Sequence, residues 1–211
     1  MITAPCTGVI LAGGNASRYG GAPKGLERVG GKRIIDRVAE ALRPASDDLL
    51  LIANDPAAAS WLPGVRHASD VRPGLGSLGG IHAALVHART GVLVIAWDMP
   101  FVPAGLMTAL RMAGAEADVA VAESGSRRGV EPLCAYYGPG CVEAIERRLD
   151  ADDRRVIGFF DDVKVARVGA DTVARFGDPS IIFMNVNSPD DLGLAEEHAS
   201  APDGGGYRQE A

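Results

Sequence analysis

The chain has 211 residues, and 47% of them are hydrophobic, so it can bury one sizeable core and a single domain is the default expectation. Its 21 Lys and Arg residues against 27 Asp and Glu residues give a net charge of −6, which argues against a surface built as a whole for nucleic acid or membrane binding. The three cysteines, with no C-x-x-C pair, favour a reducing cytoplasm, and no apolar segment approaches the roughly 18 to 20 residues of a membrane span.

Short apolar runs that end in loops alternate with helical patterns over the first 122 residues. Strands are predicted at 7–11, 49–53, 65–68, 92–96 and 118–122. Helices are predicted around 34–42 and 78–88, and after Pro103, which we place at a first helical position. This alternation implies a parallel sheet with helices on both faces.

The rhythm changes near residue 124, where turn residues separate strand 118–122 from a strand at 133–137 at hairpin spacing. Helices at 141–149 and 156–160, strands at 163–168 and 181–184, and a last helix at 188–198 follow. The predicted fold is α/β: a single three-layer α/β/α domain over 1–200, with a mostly parallel, Rossmann-like sheet and a short antiparallel addition. A disordered tail is predicted for 201–211.

The loop after the first strand, 11–25, is rich in glycine and carries two cations. Glycine lets backbone N–H groups approach an anion closely, and the cations can neutralise a polyphosphate. The alternative is a mobile surface loop, since the P-loop and dinucleotide spacings are both absent. The residues that favour phosphate binding are Gly13, Gly14, Gly20, Gly21, Arg18 and Lys24.

Asp98 lies just past the end of the strand predicted at 92–96. A carboxylate there suits Mg²⁺, which takes one or two oxygen ligands from the protein and the rest from water and substrate phosphates. The alternative is that Asp98 caps the following helix or turn.

Two further loops follow predicted strands. In 70–80, glycines including Gly79 could bring backbone groups to a base or ribose, or Ser77 could simply cap the next helix. In 185–191, Asn185 and Asn187 occupy alternate positions and could face one ligand, although Ser188 and the residues after it also form a good helix start.

The remaining polar residues point to less specific roles. The histidines lack metal-ligand spacing, so we predict no zinc site. The pairs Arg127-Arg128 and Arg154-Arg155 are either solvated or line an anionic acceptor site.

The motifs together resemble the molybdenum cofactor guanylyltransferase family of nucleotidyltransferases. The matching segments are Leu11-Ala12-Gly13-Gly14 with Arg18, Gly20-Gly21, Lys24-Gly25-Leu26, Asp70, Pro73-Gly74, Leu78-Gly79-Gly80-Ile81, Asp98-Met99-Pro100-Phe101, Glu131-Pro132-Leu133, Arg154-Arg155-Val156 and Asn185-Val186-Asn187-Ser188-Pro189.

The resemblance implies roles for several of these residues. Leu11, Ala12, Gly13 and Lys24 would contact GTP, Asn54 and Asp70 would hold the nucleoside, and Asp98 would bind Mg²⁺. Asn185 and Asn187 would face molybdopterin or the molybdenum cofactor, and we extend this acceptor role to Arg154 and Arg155.

The implied activity is transfer of GMP from Mg-GTP to the acceptor phosphate, with Arg18, Lys24 and Asp98 stabilising the reacting charges. Cofactor-biosynthesis proteins and apo-molybdoenzymes are further candidate partners. The family commonly has Asp before the loop lysine, whereas this chain has Pro23, as in sugar-phosphate enzymes. CTP-dependent cytidylyl transfer and a sugar 1-phosphate acceptor therefore remain alternatives, as does a non-catalytic nucleotide-sensing or cofactor-delivery module.

Overall fold

The computed structural model describes residues 4–13 and 23–200. Its strands are β1 (Cys6–Ala12), β2 (Arg28–Val29), β3 (Lys32–Arg33), β4 (Asp48–Ala53), β5 (Arg66–Ala68), β6 (Gly91–Ala96), β7 (Val119–Glu123), β8 (Val130–Tyr137) and β9 (Val165–Val168). Its α-helices are α1 (Ile34–Leu42), α2 (Gly76–Ala88), α3 (Ala104–Gly114), α4 (Cys141–Asp150), α5 (Ala170–Ala174), α6 (Pro179–Ile182) and α7 (Pro189–Ser200). Turns of 3₁₀ helix occupy Lys24–Leu26, Arg43–Ala45, Pro56–Ser60 and Val156–Asp162.

The central sheet has the strand order β5-β4-β1-β6-β8-β7-β9. β1 pairs in parallel with β4 and β6, and β7 pairs in parallel with β9. β8 runs antiparallel to both of its neighbours, β6 and β7. The mostly parallel sheet and the antiparallel addition after residue 124 are thus confirmed.

Helices cover both faces of this sheet, because its central strands are apolar on both sides. Every residue of β1 and β6 is buried. Ile10 belongs to the core that α1 and α3 cover, whereas its neighbours Val9 and Leu11 belong to the core that α2 and α4 cover. The predicted three-layer α/β/α architecture is confirmed. The structure does not describe 201–211, so the predicted tail lies outside the described residues.

The structure corrects two local predictions. The strand predicted at 181–184 is wrong, because helix α6 includes residues 181 and 182 and the chain leaves the helix in a turn at 183. Asp178 caps α6 by accepting a hydrogen bond from the Ser180 N–H, and Pro179 fixes the backbone of the first turn. Pro103 is the N-cap of α3 rather than its first helical residue, with an extended backbone at φ −84° and ψ 145°.

The C-terminal segment returns to the carboxyl edge of the sheet. The Val186 N–H donates a hydrogen bond of 2.9 Å to the Asp98 carbonyl just beyond β6. Farther along, Glu196 on α7 accepts a hydrogen bond of 3.1 Å from the Gly30 N–H, in the turn between β2 and β3. These two contacts fix the position of residues 185–187.

At the amino-terminal ends of the strands, Arg111 on α3 binds the segment that leads into β1. Its guanidinium donates to the carbonyls of Ala4 and Ala45, each at 3.1 Å, and forms an ion pair of 2.8 Å with Asp47. Asp47 in turn accepts a hydrogen bond from the Cys6 N–H. The Arg111 side chain is 16% exposed, so its bonds are partly shielded from water.

We expect Arg111→Ala to lower the free energy of unfolding by roughly 1–3 kcal/mol, because it leaves two carbonyls and a carboxylate without their shared donor. Arg147→Ala is the matched control, since Arg147 only pairs with Glu143 on the exposed face of α4 and should cost less than about 0.5 kcal/mol. Urea unfolding curves measure both variants. Equal losses would contradict the role given to Arg111.

Candidate functional site

A cavity of about 650 Å³ opens at the carboxyl ends of β1, β4 and β6. This edge is where ligands bind in open parallel sheets. The lining residues are Leu11, Ala12, Gly13, Lys24, Ile52, Ala53, Asn54, Asp70, Gly74, Gly76, Ser77, Gly80, Ala96, Trp97, Asp98, Leu133, Asn185 and Asn187. The four loops singled out from the sequence therefore converge on one cavity.

The parallel register explains this convergence. Leu11 on β1 lies beside Ile52 of β4 and Ala96 of β6, so the three strands end at the same level. The residues that follow them, Gly13, Asn54 and Asp98, enter the same space. Arg18 and Gly14, which were predicted to join this site, lie outside the described residues, as do Gly20 and Gly21.

Lys24 extends into the cavity from the 3₁₀ turn Lys24–Leu26 and contacts the C-terminal segment. Its Nζ donates a hydrogen bond of 2.8 Å to Asn187 Oδ1. The Asn187 N–H donates to Asp191 Oδ2 at 2.9 Å, and the charge of Lys24 helps to lower the pKa of Asp191, after the larger effect of that hydrogen bond. The predicted phosphate-binding lysine is thus joined to a predicted acceptor-binding asparagine.

Asp98 lies at the floor of the cavity. Burial raises the pKa of its carboxyl, and the nearby Lys24 cation partly opposes that shift. The alternative that Asp98 caps the next helix is wrong, because α3 begins at Ala104 with Pro103 as its N-cap. A buried carboxylate beside a cation is the kind of perturbed group found at functional sites.

Asn54 and Asp70 form a reciprocal pair on the β4 side of the cavity. The Asn54 amide donates a hydrogen bond of 2.7 Å to Asp70 Oδ2, and Asn54 Oδ1 accepts one of 2.8 Å from the Asp70 N–H. Asp70 Oδ1 is 3.9 Å from the position that a Cβ on Gly80 would occupy. The pair fixes the Asp70 carboxylate at the cavity wall and leaves Oδ1 as an acceptor for a ligand.

The first turn of α2 forms the adjacent wall. Gly74 and Gly76 adopt φ of +82° and +66°, a backbone region that favours glycine and turns the chain sharply into the helix. Ser77 lies inside α2, whose N-cap is Leu75, so the alternative that Ser77 caps the helix is wrong. Gly80 lines the cavity, whereas the structure places Gly79 outside the lining, against Leu75.

The structure does not bring the Arg154-Arg155 pair into the cavity lining. Arg154 forms an ion pair with Asp152 and donates to the Gly74 carbonyl at 3.1 Å, so it supports the loop that leads into α2. Arg155 pairs with Asp153, and its side chain is 77% exposed. Both guanidiniums have carboxylate partners in this arrangement, and their acceptor role stays a prediction.

Sequence reasoning missed some lining residues that have few functional groups, among them Trp97 and Leu133. Trp97 directly precedes Asp98, so its place in the chain was a usable signal. Among the described residues, no three His, Cys, Asp or Glu side chains cluster as a metal site. No described helix has the length and apolar character needed to cross a membrane.

Comparisons with known proteins agree with this geometry. The model of the MobA-like NTP transferase domain family matches residues 8–165. A molybdenum cofactor guanylyltransferase of Desulfosudis oleivorans is 33% identical, covering 90% of this chain and 94% of its own length. A probable molybdenum cofactor guanylyltransferase of Pelotomaculum thermopropionicum is 38% identical, covering 88% and 89%. The crystal structure of molybdopterin-guanine dinucleotide biosynthesis protein A from Archaeoglobus fulgidus has a TM-score of 0.75 at 30% identity, covering 90% of this chain and 97% of that one.

We expect Asp98→Asn to stabilise the ligand-free protein at pH 7, by on the order of 1 kcal/mol or about 2–4 °C in melting temperature. The folded-state pKa of Asp98 is raised above its unfolded value, so its charged form costs stability at neutral pH. That cost is absent at a pH below the folded-state and unfolded-state pKa values, because the Asp98 carboxyl is then protonated in the folded and the unfolded protein alike.

Thermal unfolding between pH 3 and pH 8 measures this difference. The melting temperatures of Asp98→Asn and the unchanged protein should converge below about pH 4. Asp161→Asn, at an exposed position, is the control and should change the melting temperature little at any pH. A lower melting temperature for Asp98→Asn at pH 7 would contradict the burial argument.

Proposed function

The chain belongs to the molybdenum cofactor guanylyltransferase family of MobA-like NTP transferases, and on that basis we propose that it transfers GMP from GTP to the phosphate of molybdopterin or its molybdenum form, releasing pyrophosphate. The observation that carries this proposal is the convergence of Lys24, Asp98 and the Asn54–Asp70 pair on one cavity, with Asn185 and Asn187 beside them. The family membership agrees with the sequence motifs.

The hydrogen-bonded Asn54–Asp70 pair supports guanine as the base. A carboxylate only accepts hydrogen bonds, and the N1–H and 2-amino groups of guanine present two adjacent donors. The corresponding edge of adenine offers an acceptor at N1, which would face the carboxylate unfavourably. With one hydrogen bond from Asn54 on Oδ2, the Asp70 carboxylate keeps Oδ1 and the second lone pair of Oδ2 as acceptors for the two donors of the base.

The phosphates of the nucleotide would lie between the end of β1 and Lys24. The proposed contacts are the backbone of Leu11, Ala12 and Gly13 and the Lys24 ammonium, which line the cavity. The Arg18 guanidinium, outside the described residues, is proposed from the sequence as a further contact. Positive charge there would stabilise the negative charge that builds up on the α-phosphate and on the departing pyrophosphate.

The residues present fit Mg²⁺ as the cofactor. Asp98 offers a desolvated carboxylate, whose charge a bound cation would compensate, and Mg²⁺ commonly takes only one or two ligands from protein. When bound, the ion would neutralise phosphate charge and help to orient the triphosphate. Asp98 is the residue proposed to hold it.

The reaction requires little acid–base chemistry from the protein. An oxygen of the acceptor phosphate is already anionic, so it can form the new bond to the α-phosphorus while the bond from that phosphorus to the bridging oxygen breaks and pyrophosphate leaves. Asn185 and Asn187 would position the acceptor, and Lys24 would stabilise the leaving charge. Catalysis would therefore consist of positioning and charge neutralisation.

The Pro23-Lys24 pair does not favour CTP or a sugar 1-phosphate once its geometry is considered. Pro23 is the N-cap of the turn Lys24–Leu26, with φ of −68°, and its carbonyl accepts a hydrogen bond from the Leu26 N–H. It is absent from the described cavity lining. Proline at this position stabilises the local turn, and this role accounts for it without reference to the base.

The proposed activity also implies protein partners and a cellular location. Transfer of a finished cofactor makes cofactor-biosynthesis proteins and apo-molybdoenzymes the proposed protein partners. A cytoplasmic location is proposed as well, and the three buried free cysteines are compatible with a reducing compartment.

The proposed function is tested by measuring pyrophosphate release from GTP, CTP, ATP and UTP with Mg²⁺ and molybdopterin. We expect release from GTP, and Asp70→Asn should raise the KM for GTP by about tenfold or more, because one acceptor becomes a donor. The exposed Asp161→Asn variant is the matched control. Preferential release from CTP would overturn the base assignment, and nucleotide binding without release in every mixture would favour the non-catalytic alternative.

We expect Lys24→Met to lower kcat/KM for GTP by roughly 10²-fold or more, because it removes a cation from the transferred phosphates. The melting temperature should change little, since the hydrogen bond from its ammonium to Asn187 is exposed to water. Lys32→Met, which breaks an exposed pair with Glu40 far from the cavity lining, is the control. Full activity of Lys24→Met in steady-state assays would refute the assignment.

A further inference from the structure

The indole ring of Trp97 lies directly against the turn that carries Lys24. A Cβ built on Gly25 would be 2.4 Å from Trp97 Cε3 and 2.8 Å from Cδ2, closer than real Cβ atoms approach other atoms. Gly25 is buried, and its lack of a side chain is what allows the backbone to rest on the ring. The position of this backbone therefore depends on the position of the ring.

Trp97 is itself firmly held. Its backbone N–H donates a hydrogen bond of 3.1 Å to the Leu11 carbonyl, which continues the β1–β6 ladder by one residue. Its ring stacks with Trp61, with centroids 5.2 Å apart and planes at 21°. The two tryptophans are 6% and 5% exposed, so water has little access to either.

The buried Trp97 indole also lowers the stability of the fold locally. Its Nε1–H is buried and has no hydrogen-bond partner among the residues that the structure describes. A buried donor without a partner costs about 1–3 kcal/mol, so a residue kept in that state calls for an explanation other than stability.

We propose that Trp97 is a positioning residue for Lys24: its ring sets the height of the Gly25 backbone and so the distance between the Lys24 ammonium and the neighbouring Asp98. This inference rests on the proposed function, in which those two groups act on the same phosphates. Trp97 is covalently joined to Asp98 and packs against Gly25, which is joined to Lys24. One rigid side chain thus links both charged groups.

Asn187 complements this support at the other end of the lysine. It holds the ammonium by a hydrogen bond of 2.8 Å, while Trp97 holds the backbone at the base of the same side chain. The Asn187 contact is exposed, so a phosphate can compete for it, whereas the Trp97 contact is buried away from the position that a phosphate would take. The ring is therefore the lasting constraint on Lys24.

A double-mutant cycle tests this link through kcat and KM for GTP. Gly25→Ala places a methyl group against the ring and should lower kcat between about tenfold and 10²-fold, since misplacements near 1 Å have effects of that size. Trp97→Leu removes the ring and should lower kcat by a similar factor. Because the smaller side chain also relieves the clash, the double variant should lie within about threefold of either single variant rather than at the product of the two losses.

Three controls separate positioning from general stability. Gly193→Ala adds a methyl group on exposed α7, where no atom lies within 4 Å, and should leave kcat unchanged. Arg111→Ala, whose bonds lie at the N-terminal end of β1 and outside the cavity lining, should lower the melting temperature while retaining kcat below that temperature. Trp97→Phe keeps an aromatic ring under Gly25 and should restore kcat to within about threefold of the unchanged protein, which keeps the test valid if Trp97→Leu folds poorly.

The unchanged protein is assayed first, so that two kinds of failure can be told apart. If it releases no pyrophosphate from GTP with molybdopterin, the proposed function fails, and the cycle is then evaluated from the Kd for Mg-GTP. That Kd is measured by isothermal titration calorimetry, which needs no tryptophan signal and so gives a value for every variant of the cycle, including those that lack Trp97. Additive losses from Gly25→Ala and Trp97→Leu, in kcat or in Kd, would overturn the inference.

Discussion

The site depends on the parallel pairing of β1 between β4 and β6. This pairing places three strand ends at one level, so that each following loop reaches the same cavity. β1 is buried along its whole length, and a shift of register by one residue would exchange the side chains that pack in the two cores on either side of the sheet. The energy of the core therefore fixes the geometry of the polar residues beyond the strands.

Much of this arrangement could be predicted, because apolar β-branched runs determine the buried strands and ligands bind at the carboxyl edge of parallel sheets. Lys24 and Asp98 could be chosen on these grounds alone. The segment 181–184 could not, because its apolar residues suit a strand and a short helix equally. There the capping of α6 by Asp178 decided the outcome.

Other features of the site come from tertiary contacts that sequence spacing does not encode. Arg154 and Arg155 follow a turn in which Asp152 has φ of +54°, and this turn brings the carboxylates of Asp152 and Asp153 onto the two guanidiniums. Lys24 and Asn187 are separated by 163 residues, so no local pattern could predict their hydrogen bond. The packing of Gly25 on Trp97 is hidden for the same reason. Residues that work through their packing are thus harder to find from sequence than charged groups at strand ends.

The account proposes that the cavity transfers a nucleotidyl group and does not simply bind or hydrolyse GTP. The most direct measurement follows the two ends of the nucleotide separately, with α-labelled and γ-labelled GTP incubated with Mg²⁺ and molybdopterin. The account predicts that the α label enters a molybdopterin–guanine dinucleotide and that the γ label leaves as pyrophosphate. Recovery of the α label as GMP or GDP, with no labelled dinucleotide, would contradict it.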